Sequence, residues 1–262
     1  MRPPRIVPTH AEGRLSDARR LAHEGRHAEA LAEYQWFHAH ALEESPALHG
    51  VRLSYALGGW ADLAAVYPPA RAALDAQRER DTARLLACKS ERGLFHDVVA
   101  IHRVLGEQWR THALFADLAR SDPELAMALA PIGLPAIVAA GDHALAHSLV
   151  PDAEGFIRRS SRSLITGFAG RRRRFTRAPR IAAYIHNYAA DVRHMLAVLE
   201  GVGQHLEAAR LRRLAADLVH ATTIRRAVRA ALQPGARPWY ERGRYYSGPQ
   251  ARRRKAPVSW RA

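Results

Sequence analysis

The chain has 262 residues, enough to bury a large core as one elongated domain or two small ones, and its 48% hydrophobic content excludes a mostly disordered protein. A single cysteine, Cys88, excludes an internal disulfide framework and fits a reducing compartment, so a cytoplasmic location is expected. The net charge of +15 points to anionic partners, but it is uneven: residues 1–150 hold 16 basic and 18 acidic side chains, and residues 151–262 hold 24 and 7.

Residues 1–13, with Pro3, Pro4 and Pro8, read as a loose leader without the apolar core of a signal peptide. Helix formers then fill Asp17 to Glu24 up to Gly25, which can take the positive φ that ends a helix. A second helix starts at Ala28. Its apolar positions Ala30, Tyr34, Phe37 and Ala41 are spaced four, three and four apart, on one face of a 3.6-residue period. Ser45-Pro46 has the form of a new helix start. A long helix is expected from Pro46 to Val66, weakened at Gly58-Gly59 and ended by Tyr67-Pro68-Pro69. Further helices follow at about 69–89 and 94–105, Gly106 separates the latter from one containing Trp109, Leu114, Phe115 and Leu118, and Asp122-Pro123-Glu124 opens another. The uncharged run Leu125 to Gly141 contains Pro131 and Pro135 and reads as a buried helix, not a bilayer span. Helices are expected again from Asp152 to Phe168 and from Ile181 to Leu199, separated by an arginine-rich loop at 167–180. A last helix runs from Leu206 towards Val228 and stops at Pro234. Alternating β-branched runs are absent, so no strand is expected.

The hairpin over residues 14–46 carries a resemblance. Gly25-x-His27-x-Glu29-Ala30, then Tyr34, then Ala41-Leu42-Glu43-Glu44-Ser45-Pro46 resembles the back half of a tetratricopeptide repeat, over about one repeat. Tyr34 to Pro46 spans twelve residues where that family has eight, about one helical turn more. The string Gly-x-His-x-x-Ala recurs at Gly141-x-His143-x-x-Ala146 and Gly203-x-His205-x-x-Ala208. Glycine would make the turn, and alanine would let the second helix approach the first. Gly25, Gly59 and Gly93 also stand 34 residues apart, the period of that family.

Several residue groups invite a chemical reading. Arg158, Arg159, Arg162, Arg171, Arg172, Arg173, Arg174, Arg177 and Arg180 follow one another with no acid between them. They form either a phosphate- or acid-binding surface or a solvated loop. The tail sets Trp239, Tyr240, Tyr245 and Tyr246 beside Arg252, Arg253 and Arg254. In such a pattern aromatics stack on unpaired bases while arginines hold the backbone, or the arm packs on its own helices or a partner. Only Lys89 and Lys255 are lysines, so codon bias accounts for arginine over lysine, though not for the missing acids of the second half. His23 with His27, and His143 with His147, are i,i+4 pairs, but no His-Glu-x-x-His string or third ligand accompanies them. Tyr34, Trp36, Phe37 and His38 line a pocket or, more simply, a core. There is no phosphate loop, nucleophile elbow or usefully spaced acid pair.

The expectation is therefore an all-α protein of stacked antiparallel helical hairpins in a right-handed, tetratricopeptide-like array. Residues 14–150 would form near-neutral repeats, 151–233 a cationic helical region, and 234–262 a disordered basic tail. The expected function is a non-catalytic scaffold for a protein partner, with no metal or cofactor and its cationic half facing an acidic surface. The alternative is a polyanion-binding protein of RNA type using the arginine-rich loop and the tail.

Overall fold

The computed structural model describes residues 10–87, 92–169, 177–233 and 235–236. Every regular element among them is helical, so the all-α class holds there. No helix among the described residues is long and apolar enough to cross a membrane. Cys88, residues 1–9 and the tail from Arg237 onward lie outside the described residues, and the leader expected over 1–13 is helical from His10, where α1 begins. The chain divides into two compact units, Met1–Asp142 and His143–Ala262. The division falls ahead of the change in charge at residue 150.

In the first unit α1 (His10–His23) and α2 (His27–Glu44) pack on each other. A 3-10 turn, Pro46–Leu48, leads into α3 (His49–Val51), a π-helical segment Arg52–Ala56 and α4 (Leu57–Ala64). This nearly continuous run occupies the stretch expected as one long helix. It is followed by α5 (Pro68–Ala87), α6 (Arg92–Val104), α7 (Gln108–Ser121) and α8 (Pro123–Ala139). The core gathers Tyr34, Phe37, Trp60, Leu74 and Ile101, all at most 2% exposed. Burying each such side chain contributes roughly 1.5–3 kcal/mol. Trp60 also satisfies its ring nitrogen, donating to the carbonyl of Ala70 at 3.0 Å. The aromatic string of α2 is thus core, with Trp36 at its edge under the Arg14 guanidinium, 4.1 Å from the ring centre.

The helices end for a local reason. Gly25, Gly106, Gly141 and Gly203 all have φ between 74° and 81°. At each, the next residue donates back across the turn: Arg26 to Leu21, Glu107 to His102, Asp142 to Ile137 and Gln204 to Leu199. This is the glycine-closed C-cap that satisfies the last carbonyls of a helix. Five residues beyond each glycine stands a small buried side chain, Ala30, Thr111, Ala146 or Ala208, at most 1% exposed. The 34-residue series is a different matter. Gly59 and Gly93 lie inside α4 and α6 without positive φ, so only Gly25 of that series closes a turn. Gly59 serves close packing, because a Cβ there would stand 2.5 Å from the Tyr34 hydroxyl.

α8 opens as expected, with the Asp122 carboxylate accepting from the Leu125 amide at 3.2 Å. It runs through both Pro131 and Pro135, which lie four apart on its exposed face.

In the second unit α9 (His143–Leu149) packs on α11 (Arg177–Gly201), which also meets α10 (Ala153–Ala169), α12 (His205–Asp217) and α13 (Thr222–Ala231). Ile157, Leu164, Tyr188, Val192, Met195, Leu211 and Ala215 are all at most 2% exposed. The Tyr188 hydroxyl donates to the Ala215 carbonyl at 2.8 Å, and burial pushes its pKa up. Two expectations change here. Both ends of the stretch expected as an arginine-rich loop at 167–180 are helical, because α10 runs through Ala169 and α11 begins at Arg177, and residues 170–176 lie outside the described residues. The final helix is two helices, broken between Asp217 and Thr222. Arg225 holds the break, donating to the carbonyls of Val219 at 2.7 Å and His220 at 3.4 Å. Splitting lets α13 reach α11 as well as α12.

Candidate functional site

The arginines expected to bind anions are only partly brought together. Arg158, Arg159 and Arg162 are exposed on α10. Two of them already have acidic partners from the first turn of the helix and its cap: Arg158 pairs with Glu154 at 2.7 Å, and Arg159 with Asp152 at 3.6 Å. Arg177 and Arg180 belong to the start of α11. Arg171, Arg172, Arg173, Arg174, Trp239, Tyr240, Tyr245, Tyr246, Arg252, Arg253 and Arg254 lie outside the described residues.

The first unit holds two features that the sequence did not single out. One is a polar network inside the core. His38 on α2, Arg52 on the π segment and Asp81 on α5 are 4%, 8% and 2% exposed, and Asp97 on α6 joins them. Arg52 binds both carboxylate oxygens of Asp97, at 2.5 and 2.9 Å, and its Nε donates to the His38 carbonyl at 2.6 Å. Its Nη2 lies 3.2 Å from His38 Nε2, which is 3.9 Å from Asp81. Burial pushes the Asp81 carboxyl up, but the His38 ring and the Gln77 amide outweigh it and hold it below the usual range. His38, Asp81 and Asp97 each bring one ligand-type atom within 4.8 Å of the others. A histidine with two carboxylates is a donor set for a transition metal. Here the Arg52 guanidinium occupies both oxygens of one carboxylate and supplies the compensating positive charge. The network is a tie between four segments. The expected histidine pairs have other roles: His27 packs on Tyr67, and His143 lies where a Cβ on Gly201 would stand, 2.2 Å from its ring.

The other feature is a groove. α5 and α7 form its walls and α6 its floor, enclosing about 560 Å³. Leu86 and Trp109 stand on its walls at 56% and 60% exposure, above Ala83, Leu114 and Leu118. The floor is His102, 3% exposed, whose Nδ1 lies 3.0 Å from the Thr111 hydroxyl. Burial, with Arg78 nearby, pushes its pKa down to about 4, so it is neutral at physiological pH.

Charge fixes the geometry of the wall. Glu107 binds three arginines: Arg78 at 2.7 Å, Arg71 at 3.0 Å and Arg110 at 3.0 Å. Arg71 and Arg78 come from α5 and Arg110 from α7, so one carboxylate ties the two walls of the groove together. Arg110 in turn lies over the Trp109 ring, 4.7 Å from its centre. Glu79 and Asp117 put one acid on each rim.

No family model, no curated protein and no solved structure matches this chain.

Proposed function

We propose that the protein is a non-catalytic helical-repeat scaffold of tetratricopeptide-like, right-handed build, and that a protein partner inserts apolar side chains into the groove between α5 and α7. The observation that carries this reading is Trp109: a large aromatic side chain, 60% exposed, beside exposed Leu86 over an apolar cavity. Exposed tryptophan at an apolar pocket, ringed by polar groups, has the composition of an interaction hot spot. The Glu107–Arg110–Trp109 chain of contacts holds the indole in place, which lowers the entropy lost on binding. The repeated glycine-closed helix ends, each followed by a small buried residue, support the repeat reading.

The test is affinity purification from the native cell with wild type and Trp109→Ala, each with and without nuclease. A reproducible protein that survives nuclease and is lost with Trp109→Ala is the expected result. Recovery that ignores Trp109→Ala would remove the groove from the account, and recovery of nothing would remove the scaffold.

A second reading, polyanion binding, has its own support. The six acids of the second unit's described residues all have partners: Asp152, Glu154, Glu200, Glu207 and Asp217 meet arginines, and Asp191 meets Ser160. The positive surplus of residues 151–262 is thus uncompensated by local acids. This reading predicts partners that vanish on nuclease treatment and binding that weakens steeply with salt.

A further inference from the structure

A second cavity, of about 290 Å³, opens between α12 and α13. Its lining includes Arg212 and Arg213 from α12, Arg229 from α13, and Asp217, Leu232 and Gln233. Two of the three guanidinium groups are anchored through one nitrogen only. Arg212 Nη2 is held by Glu200 at 2.8 Å, and Arg229 Nη2 by Asp217 at 2.9 Å. Arg212 Nε is buried and has no acceptor. Arg213 is exposed and has no acidic partner among the described residues. The remaining donors leave the cleft with a net positive charge, even after Glu200 and Asp217 are counted.

A buried N–H without an acceptor costs about 1–3 kcal/mol, more on a charged group. Arg212 Nε is itself covered, so the donors open to a ligand are those of Arg213 and the unanchored nitrogens of Arg229, both exposed side chains. Arginine forks match tetrahedral oxyanions in particular, because an edge of the planar guanidinium presents two parallel N–H bonds. Here each of the two anchoring carboxylates orients one fork and leaves its other nitrogens for a ligand. The volume suits a group with few heavy atoms, with the Gln233 amide as a further polar contact.

We propose that this cleft binds a phosphate group, either free phosphate or the terminal phosphate of a small ester. The site lies in the second unit, so it stands or falls separately from the groove. Nor does it use the arginine-rich loop or the tail.

The experiment is calorimetric titration of the full chain at low ionic strength with inorganic phosphate and, in a parallel arm, phenyl phosphate. Saturable binding of one equivalent is expected. Tighter binding of phenyl phosphate would assign the site to esters, and equal or weaker binding to free phosphate. Arg213→Gln and Arg229→Gln should each weaken binding about tenfold, the value of one charge-assisted hydrogen bond. Arg226→Gln, an exposed arginine on α13 outside the lining of the cleft, should leave it unchanged. Arg229→Lys, which keeps the charge and loses the fork, should recover only part of the loss. The helical circular dichroism of each variant is checked first, and all four replacements are at exposed positions. Absence of saturable heat with both probes would overturn the site. So would an Arg226→Gln effect as large as that of Arg213→Gln, since that is the mark of diffuse charge.

Discussion

Arg52 joins three segments through one guanidinium, meeting the His38 carbonyl, the His38 ring and the Asp97 carboxylate. It stands on the π-helical segment, whose Leu53 carbonyl accepts from Arg103 at 2.7 Å. Removing one partner of such a pair strands the other in a poorly solvated place. Arg52→Ala should therefore cost about 3 kcal/mol or more of unfolding free energy in urea titration. Replacing both members, Arg52→Leu with Asp97→Leu, should cost markedly less, because no uncompensated charge remains. If the double variant is as unstable as the single one, the pair is not what holds these segments.

Among the elements, α4 carries the clearest contrast. Gly58 and Gly59 are adjacent in one helix, and by propensity alone either Gly→Ala change should stabilise it by about 1 kcal/mol. The neighbours decide otherwise. A Cβ on Gly58 meets nothing within 4 Å, whereas one on Gly59 would stand 2.5 Å from the Tyr34 hydroxyl and 2.9 Å from its ring. Tyr34 is 2% exposed and has little room to withdraw. Gly58→Ala should raise the melting temperature by a few degrees. Gly59→Ala should lower it, because overpacking costs about 1–3 kcal/mol and outweighs the propensity gain. Thermal unfolding of the two variants side by side reads the sign directly.

Across the molecule, buried histidine sets the response to acid. Burial lowers the pKa of His96, His102, His186 and His194, with His102 reaching about 4. In the unfolded chain these groups titrate near 6.5. The unfolded state thus binds more protons between pH 6.5 and 4. Stability is complete above pH 6.5 and falls as the pH drops through that window. His102 alone accounts for up to about 3 kcal/mol of the change. Asp191 works the other way: burial raises its carboxyl, so its contribution is lost as pH rises through its folded value. Four histidines outweigh one carboxylate, and melting temperature should fall from pH 6.5 towards 4. His102→Gln, which keeps a partner for Thr111, should flatten that slope. An unchanged slope would mean that His102 is not buried neutral.

The sequence by itself determined the helices and most of their ends. Apolar spacing in α2 placed Ala30, Tyr34, Phe37 and Ala41 on the buried face. The Gly-x-His-x-x-Ala strings marked three of the four glycine-closed ends. Those signals are local: a helix face and a C-cap are written within about seven residues. The 34-residue glycine series misled because a glycine's identity does not tell whether it supplies a turn or a close approach. Only the tertiary structure decided that Gly59 receives Tyr34, that the last helix breaks before α13, and that Glu107 gathers three arginines. His38, Arg52, Asp81 and Asp97 span 60 positions of the chain without any periodic pattern. Their meeting, like the groove under Trp109 and the cleft at Arg212, is a product of how helices stack, and stacking is set by long-range packing that no short window of sequence contains.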